Sequence, residues 1–415
     1  MTSKSIPISP PPKIPKLVLQ TCDLLKDAGY VAWLAGGCVR DTIMARKPKD
    51  WDIVTNAPLD KVRELFKERI EVGEAFGIVK LPPQGPKNDP IHIDIAIFRR
   101  EEGYSDYRHP DIVEPGDEQS DVTRRDFTIN AMYLDPGKNV IIDYVSGHKD
   151  IAAKTIRTVG NPATRFSEDA LRILRAVRFS AQLGFKIERD TAGAIKKCSV
   201  LLKAISRERV REETFRLLSS QRPVMGLEAL AQNGLWEHVF GVRRVSVPAD
   251  LRQLRLSWTP TPLHWICALG VTGLLGDPIK EPEAIVERLT EYLKLSNIEK
   301  RVLGRSLRVY RDSTREAGAV VETSPHEWVE LARDDKALMD IVKSFIRRAR
   351  GPSEKEKVEA IALIDQALRW AVKEGAENIW PKAETLMKEG FKAGPKLGVA
   401  LKARQWQAFW IKPAV

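Results

Sequence analysis

Apolar positions along the first 160 residues change period several times. Leu17, Leu24, Leu25 and Ala28 fall on one helical face, and Gly29 stops that helix. Residues 30–35 then read as a short buried strand. Residues 53–55 continue a second strand after Asp52, and residues 58–68 have amphipathic helical spacing. Residues 78–81 and 91–98 read as the arms of a hairpin around the turn-rich LPPQGPKNDP, and residues 141–144 as a further strand. After about residue 165 strand signals nearly vanish and helical periodicity takes over. It is broken near Gly184, Pro223, Gly234, Pro248, residues 259–262 and 278–282, Gly351 and Gly394. The expectation is an α+β chain. A mixed α/β head, a sheet with flanking helices, spans residues 16–160, a helical neck spans 161–235, and a helical body and tail span 236–415. Residues 1–15 hold five prolines and no acidic residue, and are expected to be a flexible leader.

Composition narrows the class. The 415 residues are 43% hydrophobic and 30% charged, which supports buried cores and excludes a disordered polyelectrolyte. The longest apolar stretch, residues 263–276, is interrupted by His264 and Thr272 and is shorter than the roughly 20 residues a membrane span needs. Four cysteines without a CxxC pair fit a reducing, cytoplasmic compartment better than a disulfide framework. The net charge of +11 is uneven, because residues 341–415 carry 15 basic against 8 acidic side chains. That excess attracts polyanions, and by itself suits RNA binding and a solvated helical surface equally.

Three segments carry candidate chemistry. In LAGGCVRD a strand runs into Gly36 and Gly37 and a helix follows, so backbone N–H groups can approach a phosphate and Arg40 can reach the same anion. The GxxxxGK[ST] spacing of a P-loop is absent. In KDWDIVT, Asp50 and Asp52 lie two apart on a strand and project to the same face. Two such carboxylates need a counter-charge, and Mg2+ with its preference for oxygen ligands is the natural one. Asp94, in the alternating strand IHIDIAIFR, is a third carboxylate that can lie beside the first two. Three carboxylates around two metals suit nucleotidyl transfer.

Together GGCVRD, KDWDIVT, TRRDFTINA, DYVSGHKD, RFSEDALRILRAVRF and SRERVREE, in this order across residues 31–213, resemble the class II tRNA nucleotidyltransferases. These are CCA-adding enzymes, relatives of bacterial poly(A) polymerases in the polymerase-beta superfamily. Ala45 stands where the family often has a glycine, and beyond residue 213 the likeness is loose, its best sign being GFKAGPKLG at 390–398. The resemblance implies a nucleotidyltransferase head and transfer of CMP and AMP from CTP and ATP to a tRNA 3′ end. Asp50 and Asp52 would hold the metals. Gly36, Gly37 and Arg40 would hold the triphosphate, and Arg125, Asp126 and Asn130 the nucleotide and its ribose. The basic C-terminal part would hold the tRNA acceptor arm. No histidine pair marks an added phosphohydrolase domain.

The EDALR segment allows a physical expectation of its own. If Asp169 and Arg172 lie three apart on one helix they share a face, an acceptor beside a donor. Cytosine and adenine present an amino donor beside a ring-nitrogen acceptor; guanine and uracil present the reverse. The pair would therefore accept C and A and leave G and U with unpaired groups. Glu168 would orient Arg172. Arg175 and Arg178 continue the spacing and would reach phosphates or support the template. SRERVREE is expected to make a local ion network. Rival products remain open: addition of the terminal A only, of CC only, or of poly(A). Residues 100–114 fill the place of a flexible loop that CC-only members lack. A rival of another class is a non-catalytic RNA-binding protein.

Overall fold

The computed structural model describes residues 3–68, 70, 71, 77–86, 88–106, 108–247, 251, 261–314, 325–348, 353–371, 382–389, 392, 393, 401, 404 and 405. The chain divides into two compact units, 1–209 with 220–229, and 210–219 with 230–415.

The first unit is built on an eight-stranded sheet. Its strands are β1 (Lys4–Pro7), β2 (Trp33–Ala35), β3 (Asp50–Thr55), β4 (Ile70–Glu71), β5 (Ile78–Lys80), β6 (His92–Ile97), β9 (Met132–Asp135) and β10 (Val140–Asp143), in the order β1-β10-β9-β2-β3-β6-β5-β4. Between them β7 (Arg99–Glu102) and β8 (Ile112–Pro115) pair antiparallel as a separate ribbon, and β11 (Thr155–Ile156) pairs parallel with β12 (Lys186–Ile187). β5 and β6 form the expected antiparallel hairpin. The helix Lys16–Asp27 buries Val18, Thr21, Cys22 and Leu25, the i, i+3, i+4, i+7 set of one face. The core on one side of the sheet gathers Ala35, Val54, Phe98, Val122, Ala131, Tyr133 and Val159. Trp33, Phe98 and Tyr133 meet there with ring centroids 5.7–6.0 Å apart.

Two expectations change. The proline-rich leader is not loose throughout: Lys4–Pro7 pairs antiparallel with β10 and supplies an edge strand. Residues 100–114, expected to be a flexible loop, begin and end in the β7–β8 ribbon, where Arg99 faces Pro115 and Glu102 faces Ile112.

The second unit is helical. Pro262–Val271, Pro282–Leu293, Asn297–Ser313, Pro325–Asp334, Lys336–Arg348 and Glu354–Ala371 are its longer helices. Ser296 caps one of them reciprocally with Glu299, and Thr261 caps another with His264. Trp236, Trp265, Trp328 and Trp370 are core residues, each at most 6% exposed. Trp370 packs inside this unit; Trp380, Trp406 and Trp410 and most of 390–398 lie outside the described residues. Among the described residues no helix is long and apolar enough to cross a membrane.

Candidate active site

β3 and β6 run in parallel register, with Asp50 opposite His92 and Asp52 opposite Asp94. Side chains alternate across a strand, so Asp50, Asp52 and Asp94 occupy one face of the sheet. Trp51, Ile53, Ile93 and Ile95 anchor the other face and are all buried. On the far side of β3, Ala35 lies opposite Asp52 and leads the chain into Gly36. Gly36 has φ +73°, and a β-carbon there would stand 3.2 Å from Asp52 Oδ2 and 3.5 Å from Arg125 Nη1. A glycine turn, a carboxylate and a guanidinium thus converge on one point. Gly37 has no such constraint, its nearest neighbour being Arg40 Nη2 at 3.7 Å. Gly36→Ala should therefore cost about 1–2 kcal/mol of stability and weaken nucleotide use, from left-handed strain and crowding of Asp52. Gly37→Ala should leave stability near wild type. Melting curves and NTP titrations on the two variants check this, and equal effects would refute it.

Burial pushes the Asp52 carboxyl up to about 6; the Arg125 charge opposes the rise, and Asp94 and Asp50 add to it. Asp94 has a counter-ion of its own, since Lys80 Nζ donates to its Oδ2 at 2.6 Å. Among the described residues no group of three or more His, Cys, Asp or Glu stands close enough to hold a metal ion. The fit to a divalent cation therefore rests on Asp50 and Asp52. They offer hard oxygen donors in a pair whose buried member is short of positive charge. A cation that takes one or two carboxylates and completes its shell with water and phosphate oxygens suits them.

On this same face lies an ion network that sequence reasoning did not single out. Asp121 is fully buried. Its Oδ1 accepts from Arg124 Nε at 2.9 Å; its Oδ2 accepts from Arg125 Nη2 at 2.8 Å and from the Tyr133 hydroxyl at 2.7 Å. Burial alone would raise its carboxyl, but Arg125 and Arg124, with the tyrosine hydroxyl, outweigh it and hold the group at about 2. The signal was present: Asp121 precedes Arg124 and Arg125 by three and four residues, one helical turn. Arg125 is thereby held against the Gly36 turn.

A second chain joins the other expected residues. Arg40 Nη1 donates to Asn130 Oδ1 at 2.7 Å, and Arg40 also grips Asp41 Oδ1. Asn130 Nδ2 donates to Asp126 Oδ1 at 3.3 Å, and Asp126 Oδ2 accepts from Arg175 Nε at 2.8 Å. Arg178 donates to Gln182 Oε1 at 2.8 Å. Arg40, Asp126, Asn130 and Arg175 thus form one connected group, although they are scattered over residues 40–175.

The helix expected to carry Asp169 and Arg172 on one face does not exist. The helix Pro162–Glu168 ends first, Asp169 is extended (φ −136°, ψ 102°), and a new helix runs Leu171–Leu183. Asp169 causes the break, because its Oδ1 accepts from Leu171 N at 3.1 Å and competes with helical hydrogen bonding. Its carboxylate pairs with Arg209 Nη2 at 3.2 Å. Arg172, only 8% exposed, instead donates to Glu168 Oε2 at 2.7 Å, Arg124 O at 2.7 Å and Arg165 O at 3.1 Å. The SRERVREE network is local only in part: Glu212 pairs with Arg216 one turn on, while two of its arginines reach further. Arg209 reaches Asp169, and Arg211 donates to Glu299 Oε1 at 2.6 Å and Leu293 O at 2.9 Å.

A glycine turn beside same-face carboxylates on a mixed sheet, backed by a RRDFTIN arginine, defines a nucleotidyltransferase head. Comparison with known families agrees. Residues 32–157 match the Poly A polymerase head domain, and residues 184–242 match the probable RNA and SrmB-binding site of polymerase A. The CCA-adding enzyme of Ligilactobacillus salivarius is 34% identical over 320 residues, 76% of either chain. That of Lactobacillus helveticus is 32% identical over 391 residues, 92% of this chain and 89% of that one. The crystal structure of the Bacillus stearothermophilus CCA-adding enzyme in complex with CTP superimposes with a TM-score of 0.66 at 27% identity, covering 94% of this chain and 91% of that one. The chain belongs to the CCA-adding enzyme family.

Proposed function

We propose that this chain adds C, C and A to tRNA 3′ ends from CTP and ATP and that Asp50, Asp52 and the Gly36 turn form the reaction centre. The observation that carries the reading is the register of β3 against β6 and β2, which sets Asp50, Asp52 and Asp94 on one face beside the glycine turn. The 3′-hydroxyl oxygen of the RNA forms a bond to the α-phosphorus of the incoming nucleotide, and the bond to the pyrophosphate oxygen breaks. Mg2+ held by Asp50 and Asp52 would supply activation of the hydroxyl and charge compensation for the leaving pyrophosphate. Gly36 and Gly37 leave room for the triphosphate beside backbone N–H groups. Arg40 and Arg125, each held by a carboxylate, present guanidinium charge to it without needing to reorganise. Asp126 and Asn130 position the ribose. Asp94, paired with Lys80, shapes the field of the face.

The acceptor arm of tRNA would lie on the helical second unit, whose sequence carries much of the positive charge. Four free cysteines support a reducing, cytoplasmic setting. The ribbon at residues 99–115 supports complete CCA addition over CC-only addition.

The test uses tRNAs lacking CCA, ending in CC, and ending in CCA, each with one labelled NTP and Mg2+. The expected result is C on the first, A on the second and nothing on the third. Untemplated A on any RNA would make the protein a poly(A) polymerase, and A on the CC end alone an A-adding enzyme. No incorporation under any condition would leave an RNA-binding protein.

A further inference from the structure

We propose that Tyr133 is a positioning residue for the nucleoside triphosphate: through the Asp121 carboxylate it fixes the Arg125 guanidinium beside Asp52 and the Gly36 turn. This deepens the function proposed above and rests on it. Ala35 lies opposite both Asp52 on β3 and Tyr133 on β9, so the three form one row on one face of the sheet. Arg125 reaches from one end of that row toward the other. Its guanidinium carbon lies 5.4 Å from the Tyr133 ring centroid. Its Nη1 lies 3.5 Å from the point a Gly36 β-carbon would occupy, and its charge acts on Asp52.

A carboxylate turns easily about its terminal bond, and two of the side chains that grip Asp121 are themselves long arginines. Tyr133 is the rigid member of the group. It is fully buried, meets Phe98 edge to face with centroids 5.7 Å apart at 74°, and stands 5.7 Å from Trp33. Its hydroxyl lies 2.7 Å from Asp121 Oδ2 and 3.2 Å from Glu118 O. The nearer acceptor is also the charged one, so the hydroxyl donates to Asp121. That same Oδ2 accepts from Arg125 Nη2 at 2.8 Å and from Arg125 Nε at 3.1 Å. Tyrosine and Arg125 thus meet on one oxygen, while Arg124 occupies the other. Burial and the Asp121 charge push the Tyr133 hydroxyl well above the usual tyrosine range, so it remains a donor. Phenylalanine would fill the same volume; only the hydroxyl aims the carboxylate.

The experiment measures kcat/KM for CTP and ATP in Tyr133→Phe, in Arg125→Ala and in the double variant. Tyr133→Phe should lose roughly 3–30-fold for both nucleotides, with KM for tRNA and the preference for C and A over G and U within about twofold of wild type. Replacing Tyr133 by 4-aminophenylalanine, which restores a donor at the same place, should recover most of the loss. Replacing it by 4-fluorophenylalanine, which fills the place without donating, should match phenylalanine, and carries the same comparison if Tyr133→Phe does not fold. In the Arg125→Ala background Tyr133→Phe should cost nothing further, because the hydroxyl acts through Arg125. Losses that multiply in the double variant, or non-donor variants as active as wild type, would reduce Tyr133 to core packing while wild-type activity upholds the proposed function. A wild type that incorporates neither CMP nor AMP would overturn both.

Discussion

Asp52→Asn should abolish nucleotide incorporation and at the same time make the metal-free protein more stable at pH 7. The folded-state carboxyl sits at about 6 because burial outweighs the help of Arg125. An unfolded aspartate titrates near ~3.9. The folded state therefore binds the proton more tightly. This group favours folding fully below about pH 3.9, and that contribution is lost as the pH rises through about 6. At pH 7 the buried charge opposes folding by something on the order of 2 kcal/mol, which asparagine removes. Differential melting in EDTA should show the variant a few degrees above wild type at pH 7 and no gain below pH 4. Adding Mg2+ should stabilise the wild type and not the variant, because the cation binds only where both carboxylates stand. Incorporation should fall ~10³-fold or more. Turnover within about tenfold of wild type would remove Asp52 from the reaction centre, and a variant that melts below wild type at pH 7 would overturn the stability claim. Asp50→Ala should share the loss of turnover without the gain in stability, since Asp50 is exposed.

Asp169→Ala should relax base selection. Asp169 is an acceptor at a helix break, held by Arg209 and its own backbone cap, while the donor Arg172 is fixed by Glu168 and two carbonyls. The two groups are thus placed independently, from opposite sides of the break. Where the two meet one base, an acceptor with a donor matches C and A and leaves G and U mismatched. Losing it should forfeit ~1–3 kcal/mol of discrimination, or ~5–150-fold in relative kcat/KM. Arg172→Ala should lose discrimination too and also lower the melting temperature, because the carbonyls of Arg124 and Arg165 lose their donor. The comparison is kcat/KM for all four NTPs on one primer. If both variants slow every nucleotide equally, the preference for C and A is set elsewhere.

Local chemistry carried much of this site in readable form. Asp50 and Asp52 share a face because a strand alternates with period two, whatever lies beside it. Gly36 and Gly37 between a buried strand and a helix mark a close backbone approach for the same local reason. The hairpin of β5 and β6 was legible because its turn residues sit between two apolar runs. Strand β9 was not: all four residues of Met132–Asp135 are buried, so no polar alternation marks it. Strand β1 was not either, because an edge pairing with residues 140–143 leaves no trace in its own composition.

The amino-acid sequence by itself determined the family, the mixed head before a helical remainder, and which carboxylates and arginines are proposed to serve the nucleotide. These follow from periodicity and from motif order, which depend on neighbours a few residues away. The tertiary structure alone decided that Asp94 stands opposite Asp52, that Lys80 pairs with it, and that Asp121 holds Arg125. It also decided that Asp169 breaks its helix and takes Arg209 as a partner, and that Tyr133 meets Asp121. Each of these depends on strand register, or on whether a side chain's hydrogen bonds go to its own backbone or to a distant group. Such competitions are settled by packing over separations of tens of residues, where local spacing carries no information.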